Sequence, residues 1–494
     1  MKYITSLLLL FFSININAQQ AIEALRYSQL SPGGTARVVG SGGAFGAMGG
    51  DFGGLSINPA VLANYWYSEF TFTPSFNILN GESTLENDFT KNNSNASFNL
   101  DHLGLVISPS EYTDTWTTSN FAIGFNKIAN YDENFEFSGR TPGSIVGYFK
   151  DQADGFLASN LDDFVAGPAY EVGAIYLENQ NTGTDYLTDF SNPFSDVVAK
   201  EQSIERRGGM NEIVLGWGGS IKNKVNLGVS LNIPFVNFSE RKVYRETDPD
   251  DVIANFNQLT YSENLNTSGI GIGGKMGIIA NFNPIRFGIA YHTPTLLGLQ
   301  DSFYTVHYYS YNFDGALEEA DSRSPDGLFD YQLKTPGRVV ASLGYLLRTE
   351  SIKGFFNADV EYVNYSGNSF NLTSSSEATS DDAAYQEVIN GEIEDDFSGA
   401  INIRLGGEIA KGKWRLRSGI SLNPSPYKNQ DNINTIVGLG VGFRTDKFYL
   451  DLGGRSISNT FGYVPYQAQF VEEDQNVDVN ITRNELLLTA GFVF

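Results

Sequence analysis

The 494-residue chain contains no cysteine, so it carries no disulfide and no thiolate metal ligand. In a long exported protein that argues against a disulfide-stapled scaffold and suits a bacterial envelope. It has only three histidines, His102, His292 and His307, no two of them at ligand spacing. No metal, haem or other cofactor is expected. Basic residues are scarce, 32 against 57 acidic ones, for a net charge of −25, and such a surface excludes nucleic acid as a partner. No stretch approaches the roughly 20 apolar residues of a transmembrane helix. The apolar run Leu7 to Phe12 follows Lys2 and precedes a polar stretch ending at Ala18, which is the order of a signal peptide over residues 1–18. No cysteine follows that site, so a lipid anchor there is not expected. No Ser and His nucleophile motif is present, and an enzyme is not expected.

What the chain has in excess is 52 glycines, 36 phenylalanines and 26 tyrosines beside only four methionines. Aromatics, glycine and Asn/Asp/Ser-rich loops suit a transmembrane β-barrel with aromatic girdles. Parity supports it: Val225, Leu227, Val229, Leu231, Ile233 and Phe235 alternate with Asn226, Gly228, Ser230, Asn232 and Pro234. Ile401, Ile403, Leu405 and Ile409, and Val437, Leu439, Val441 and Phe443, show the same alternation. Period two over about ten residues, lipid outside and small or polar residues inside, is the barrel-strand signature. Short turns at 222–224, 283–284, 411–413 and 445–446 alternate with long polar loops at 132–207, 371–397 and 459–483. Strands near 66, 98, 119, 208, 224, 260, 285, 331, 353, 398, 413, 434, 447 and 484 number fourteen, and the last closes with Leu486, Leu488, Ala490, Phe492 and Phe494 on one face. The reading is all-β: a 14-stranded antiparallel transmembrane barrel over 66–494 in the bacterial outer membrane. A soluble β-sandwich leaves the alternating turn lengths and the terminal aromatic unexplained.

Residues 19–65 precede the first strand and hold seven glycines between Ser41 and Gly54, followed by Asn58, Pro59 and Ala60. A segment of small residues cannot build its own core. "RYSQLSPGGTARVVGSGGAFGAMGGDFGGLSINPAVLANY" (26–65) resembles the N-terminal hatch of the FadL/TodX family of outer-membrane transporters for long-chain fatty acids and other hydrophobic compounds. "FGIAYHTPT", "TPGRVVASLGYLL", "ADVEYVNYSG" and "WRLRSGISLNPSPY" resemble strands of that family. The resemblance implies a fourteen-stranded barrel plugged by an N-terminal hatch with short helices. It implies passive uptake of a long-chain fatty acid or similar apolar ligand by a monomer set among outer-membrane lipid and lipopolysaccharide. It places Asn58, Pro59 and Ala60 beside a strand-three kink, here near Phe121 to Ala129, with Gly42, Gly43 and Gly46 in the gating hatch. Some relatives are accessories of protein secretion, an alternative that shares the barrel.

Four further features call for weighing. "GIGIGGKM" (269–276) matches a dinucleotide fingerprint, yet Ile270, Ile272, Met276 and Ile278 simply continue an outward strand face. Arg404, Arg415, Arg417 and Arg444 face the lumen by parity; they pair with nearby acids, or one holds a substrate carboxylate. In the longest loop, Phe149, Phe156, Leu157, Leu161 and Phe164 recur at helical steps after Pro142, either packing on other loops or capturing ligand, as a surface groove does in the family. Pro234 lies inside a strand, where a bulge is expected.

Overall fold

The computed structural model describes residues 17–85, 89–109, 115–178, 183–373, 379–466 and 475–494. The leader call therefore lies outside the described residues up to position 16. Nineteen segments form one closed sheet, five of them continuing a neighbour across a short break, which leaves fourteen antiparallel barrel strands. They are β1 (Glu69–Leu85), β2 (Phe89–Ile107), β3 (Trp116–Asn130 with Glu133–Pro142), β4 (Val197–Ile221), β5 (Val225–Thr247) and β6 (Phe256–Phe282). Next come β7 (Ile285–His292 with Thr295–Phe313), β8 (Ala316–Arg323, Gly327–Thr335 and Arg338–Arg348) and β9 (Lys353–Asn364 with Ser369–Asn371). The last are β10 (Gly399–Lys411), β11 (Trp414–Pro424), β12 (Ile433–Arg444), β13 (Phe448–Tyr463) and β14 (Val477–Val493).

Closure joins first and last strands, with Phe70 opposite Phe492 and Phe76 opposite Leu486. Outward side chains such as Val229, Ile272, Leu439 and Leu488 are exposed, forming the apolar belt, while their neighbours turn into the lumen. The strands reach further than the sequence reading allows. Glu133–Pro142 pairs with the upper half of β4, and β13 and β14 pair out to Tyr463 and Val477, so much of the loops at 132–207 and 459–483 is sheet. Their polar alternation conceals this, because above the membrane the outward face meets water rather than lipid.

Pro234 corrects another expectation. The β5–β6 register is the same on both sides of it, Asn232 opposite Gly273 and Phe235 opposite Ile270, so there is no bulge. The ladder is simply interrupted where proline offers no N–H.

Inside the barrel lie α1 (Asn17–Ser28), α2 (Ala36–Gly40) and two 3₁₀ turns, Phe52–Ser56 and Pro59–Asn64. The starts of α2 and of both turns are encoded locally. Thr35 caps α2, Asp51 caps the first turn, and Asn58 caps the second, with Pro59 set where its missing N–H costs nothing. Thr35 Oγ1 also donates to Asp51 Oδ1 at 2.6 Å, tying two caps together. Nearly every residue from Gly33 to Tyr65 is buried. Over the extracellular mouth, α3 (Ile145–Ala153), α4 (Ala166–Glu171) and the tops of the strands share a hydrophobic core, and α5 (Ser380–Asp396) packs onto α1.

The hatch and the candidate ligand path

The hatch meets a wall that has given up its side chains. A Cβ on Gly228 of β5 would lie 2.3 Å from the Pro59 carbonyl carbon, and one on Gly277 of β6 would lie 1.9 Å from Asn58 Oδ1. Gly406 and Gly419 face Ser41 in the same way, Gly438 faces Val39, Gly453 faces Ala36, and Gly124 faces Phe52. The lumen side of those strands reads as glycine because the hatch backbone occupies the space. On the hatch, Gly42 has φ +65° and its missing Cβ would sit 2.6 Å from Gly419, so both conformation and room demand glycine there. Gly46 answers to room alone: a Cβ would lie 2.1 Å from Ser342 Oγ.

Polar contacts fix the register of hatch on wall. The Asp359 carboxylate accepts the backbone N–H of Phe45 (2.9 Å) and of Gly46 (3.1 Å). Arg37 grips Glu408 through Nε and Nη2 at 2.9 and 3.1 Å. Ala36 N–H donates to Thr489 Oγ1 at 2.8 Å, and Asn120 Nδ2 donates to the carbonyl of Leu62 at 2.7 Å. His292 Nε2 lies 2.8 Å from the Ile57 carbonyl. His102 bridges Thr71 and Asn126 at 2.6 and 2.7 Å. Two of the three histidines thus serve hydrogen bonds within hatch and wall. Among the described residues no three His, Cys, Asp or Glu side chains gather as a metal site would require.

Asn58, Pro59 and Ala60 are all buried. Asn58 Nδ2 donates to the Gly46 carbonyl at 2.9 Å while its Oδ1 accepts from Ala60 N–H at 3.0 Å. The triplet lies against Gly228 and Gly277 on β5 and β6, and Ala60 shares a buried cluster with Ala122 of β3. The hatch residues that meet the β3 irregularity are Ser31, whose N–H donates to the Ile128 carbonyl at 3.0 Å, and Gly33, which packs on the Lys127 carbonyl. The sequence offered no signal for this, since nothing in the triplet encodes which strand it faces.

Strand β3 is irregular at the expected height, though not at Gly124, which pairs regularly with Gly104 and Val214. The register shifts between Lys127 and Ala129, and the strand breaks at Tyr131–Asp132. The β2–β3 ladder runs only from His102 to Ile107. Above it β3 leans inward over β1, with Ser83 Oγ donating to the Glu136 carbonyl, while β2 from Phe89 to Leu100 stays exposed or half-exposed on both faces. In their upper halves β2 and β3 thus meet along a seam with no backbone ladder, crossed by side chains instead: Ser97 Oγ donates to Asp132 at 3.2 Å and Lys127 Nζ to Asn99 Oδ1 at 3.1 Å.

The lumen arginines are held in several ways. Arg404 Nη2 pairs with Glu361 at 2.9 Å, an acid that Arg338 also approaches at 3.5 Å. Arg417 lies between Glu408 (2.6 Å) and Asp451 (2.8 Å). Arg444 stacks its guanidinium 4.1 Å from the Tyr449 ring centre, and Arg415 donates to the Gly412 and Trp414 carbonyls at the periplasmic rim.

In the extracellular loop the apolar face is mostly filled. Phe149 is fully buried against Tyr261 and His307, Leu161 is buried, and Phe164 packs 5.0 Å from Phe303. Phe156 is half-buried, and Leu157 alone of the five is exposed. The helix also ends at Ala153 rather than running to Val165: the chain turns at Gly155, with φ +92°, and further on the Asp162 carboxylate accepts the N–H groups of Phe164, Val165 and Ala166 just before α4.

A closed, lipid-belted barrel of fourteen strands with its N-terminal segment folded in the lumen is an integral protein of the bacterial outer membrane. The P. putida toluene transporter TodX has the same fold: 94% of this chain and 99% of that one superpose with a TM-score of 0.52 at 11% identity. A Pseudomonas aeruginosa FadL homologue gives 0.51 at 11% identity over 94% and 99% of the two chains, and the deltaS2 mutant of the TodX monoaromatic hydrocarbon channel gives 0.53 at 11% with the same coverage. No family model and no curated relative matches the sequence.

Proposed function

We propose that the protein is a passive channel that takes up hydrophobic small molecules, long-chain fatty acids or other apolar compounds, across the outer membrane. The observation that carries the reading is the pairing of a tightly docked hatch with a seam in the wall beside it. A glycine-lined wall holding a polar-buttoned plug stops ions and water, while the β2–β3 seam offers an apolar molecule a way into lipid. The deeply buried Asn58, Pro59 and Ala60 and the glycines Gly42, Gly43 and Gly46 set the hatch that a passing ligand must displace. Leu157, with Phe156 behind it, is the part of the loop placed to meet ligand first; Phe149, Leu161 and Phe164 hold that loop together. Fold relatives described as toluene and monoaromatic hydrocarbon transporters support a hydrophobic ligand. The protein acts as a monomer surrounded by lipid and lipopolysaccharide.

The test is uptake of tritiated oleate and of tritiated toluene into cells expressing the chain, beside a form whose seam is stapled by cysteines at Ser97 and Asp132, whose side chains meet across it at 3.2 Å. Uptake of at least one compound, reduced by the oxidised staple and restored by reductant, supports the reading. Uptake of neither above an empty vector overturns it.

A further inference from the structure

The lipid-facing surface of the barrel is not smoothly convex. Outside β8 to β12 lies a groove of ≈ 820 Å³, a volume in the ~300–1,000 Å³ range of ligand sites. Its floor is Gly407 and Ser418, which stand opposite each other on β10 and β11. Phe356 of β9, opposite Gly407, and Leu439 of β12, opposite Ser418, rise on either side. Leu405 continues the trough away from the periplasm, and Ile409 and Leu416 continue it towards the periplasm. All five of these apolar side chains are exposed, so nothing in the chain fills the trough.

The wall is at its thinnest here. Gly406 and Gly419 turn inward, where a Cβ would lie 2.1 and 2.3 Å from Ser41 of the hatch, while their neighbours Gly407 and Ser418 turn outward. Ser41 itself does not line the groove, which places the groove on the outside of the barrel.

At its periplasmic end the trough meets rings and ammonium groups. Lys411 pairs with Trp414 across the turn, and Trp414 with Phe443 on β12, their rings 5.3 Å apart. Lys413 Nζ lies 5.9 Å from the Phe443 ring centre. Both lysines are exposed, and neither joins an ion pair among the described residues, although Glu350 and Asp446 stand on the flanking turns. On a chain of net charge −25, two unpaired ammonium groups beside interfacial aromatic rings mark one place where an anionic headgroup is attracted. Lys411 stands ~13 Å of strand below Gly407, so an acyl chain lying in the trough brings its headgroup to the lysines.

We propose that this groove binds an anionic phospholipid of the periplasmic leaflet, with an acyl chain over Gly407 and Ser418 and the phosphate at Lys411 and Lys413. A free fatty acid shares the chain and the charge. The β2–β3 seam, however, lies half-way round the barrel from β10, so cargo released there enters lipid far from this groove. The site is independent of transport and can be measured without it.

Full-length protein is placed in phosphatidylethanolamine nanodiscs that carry a trace of phosphatidylglycerol with a diazirine on its acyl chain, irradiated, and mapped by mass spectrometry. Label is expected to concentrate on Leu405, Ile409 and Leu416 rather than on Val229 and Ile272 across the barrel. Excess unlabelled phosphatidylglycerol should suppress it, and the same amount of oleate should not. Lys411→Gln with Lys413→Gln should raise the phosphatidylglycerol needed for half-suppression roughly 30-fold, the effect of losing two ammonium groups beside an anionic headgroup. Ser418→Trp fills the floor from the lipid side and should strip label from Leu405. Heat-modifiable gel mobility reports folding, and the lysine pair, on an exposed turn, carries the test should the tryptophan variant misfold. Label spread evenly around the belt, suppression by oleate as strong as by phosphatidylglycerol, or indifference to the lysine changes each overturns the proposal.

Discussion

The Asp359 carboxylate on β9 sits 3.1 Å from the backbone nitrogen of Gly46 on the hatch, 313 residues away in sequence. No atom of the Gly46 side chain takes part, because there is none; the wall grips the plug by its backbone. Asp359→Leu leaves two buried N–H groups without an acceptor, which costs about 1–3 kcal/mol each. The expected result is a barrel that still folds but shows bursts of ion conductance in planar bilayers, with Asp359→Asn intermediate between it and the native protein.

Close approach sets a second expectation. Gly228→Val places two methyl groups where the Pro59 backbone lies, and overpacking of this kind costs roughly 1–3 kcal/mol. Backbone cannot step aside as a flexible side chain can, so the hatch should undock. Limited proteolysis of the N-terminal 64 residues, with barrel folding followed by heat-modifiable gel mobility, reads this directly. Ala60→Trp should behave in the same way, as a docking defect and not as an obstruction in an open path, since Ala60 is fully buried.

The buried ion pairs make a third. Removing one partner of such a pair costs about 3–5 kcal/mol, because the other is left charged in a low-dielectric site. Arg404→Met and Arg417→Met should therefore lower thermal stability while changing uptake of oleate and of oleyl alcohol in the same proportion. A loss confined to oleate would show that one of these arginines holds the carboxylate after all.

The extracellular cap should respond to pH. His307 lies between the Phe149 and Tyr261 rings at 5.1 and 4.6 Å, and burial pushes its pKa down to about 3. The folded cap refuses a proton that the open cap accepts near pH 6.5, so stability from this group is full above that value and falls as pH drops towards 3. A spin label at Asn160→Cys should gain mobility between pH 7 and pH 5, and His307→Phe should remove most of that gain.

How much of this was legible in the sequence differs by element. Alternation such as Val225 to Phe235 fixed both strand and facing, because lipid and hatch impose opposite demands on successive residues. The glycine-rich stretch after Ser41 marked the plug for the same reason. Pairing across the sequence was not legible: Arg404, Arg417 and their acids were seen as lumenal charges, but which acid meets which cation depends on register that no local pattern encodes. The triplet at Asn58 is placed near β3 by resemblance, and its further neighbours Gly228 and Gly277 are visible in the sequence only as anonymous small residues. The cap was half visible, since Phe149 and Leu161 showed an apolar face while nothing showed what would cover it.

Planar-bilayer conductance of the intact protein against a form lacking Gln20 to Leu55 tests the central claim most directly. The deleted form is expected to fold as a closed barrel and to conduct ions steadily, while the intact protein stays nearly silent. A folded deletion mutant that conducts no more than the intact protein would contradict the account, because the segment removed would then not be the plug.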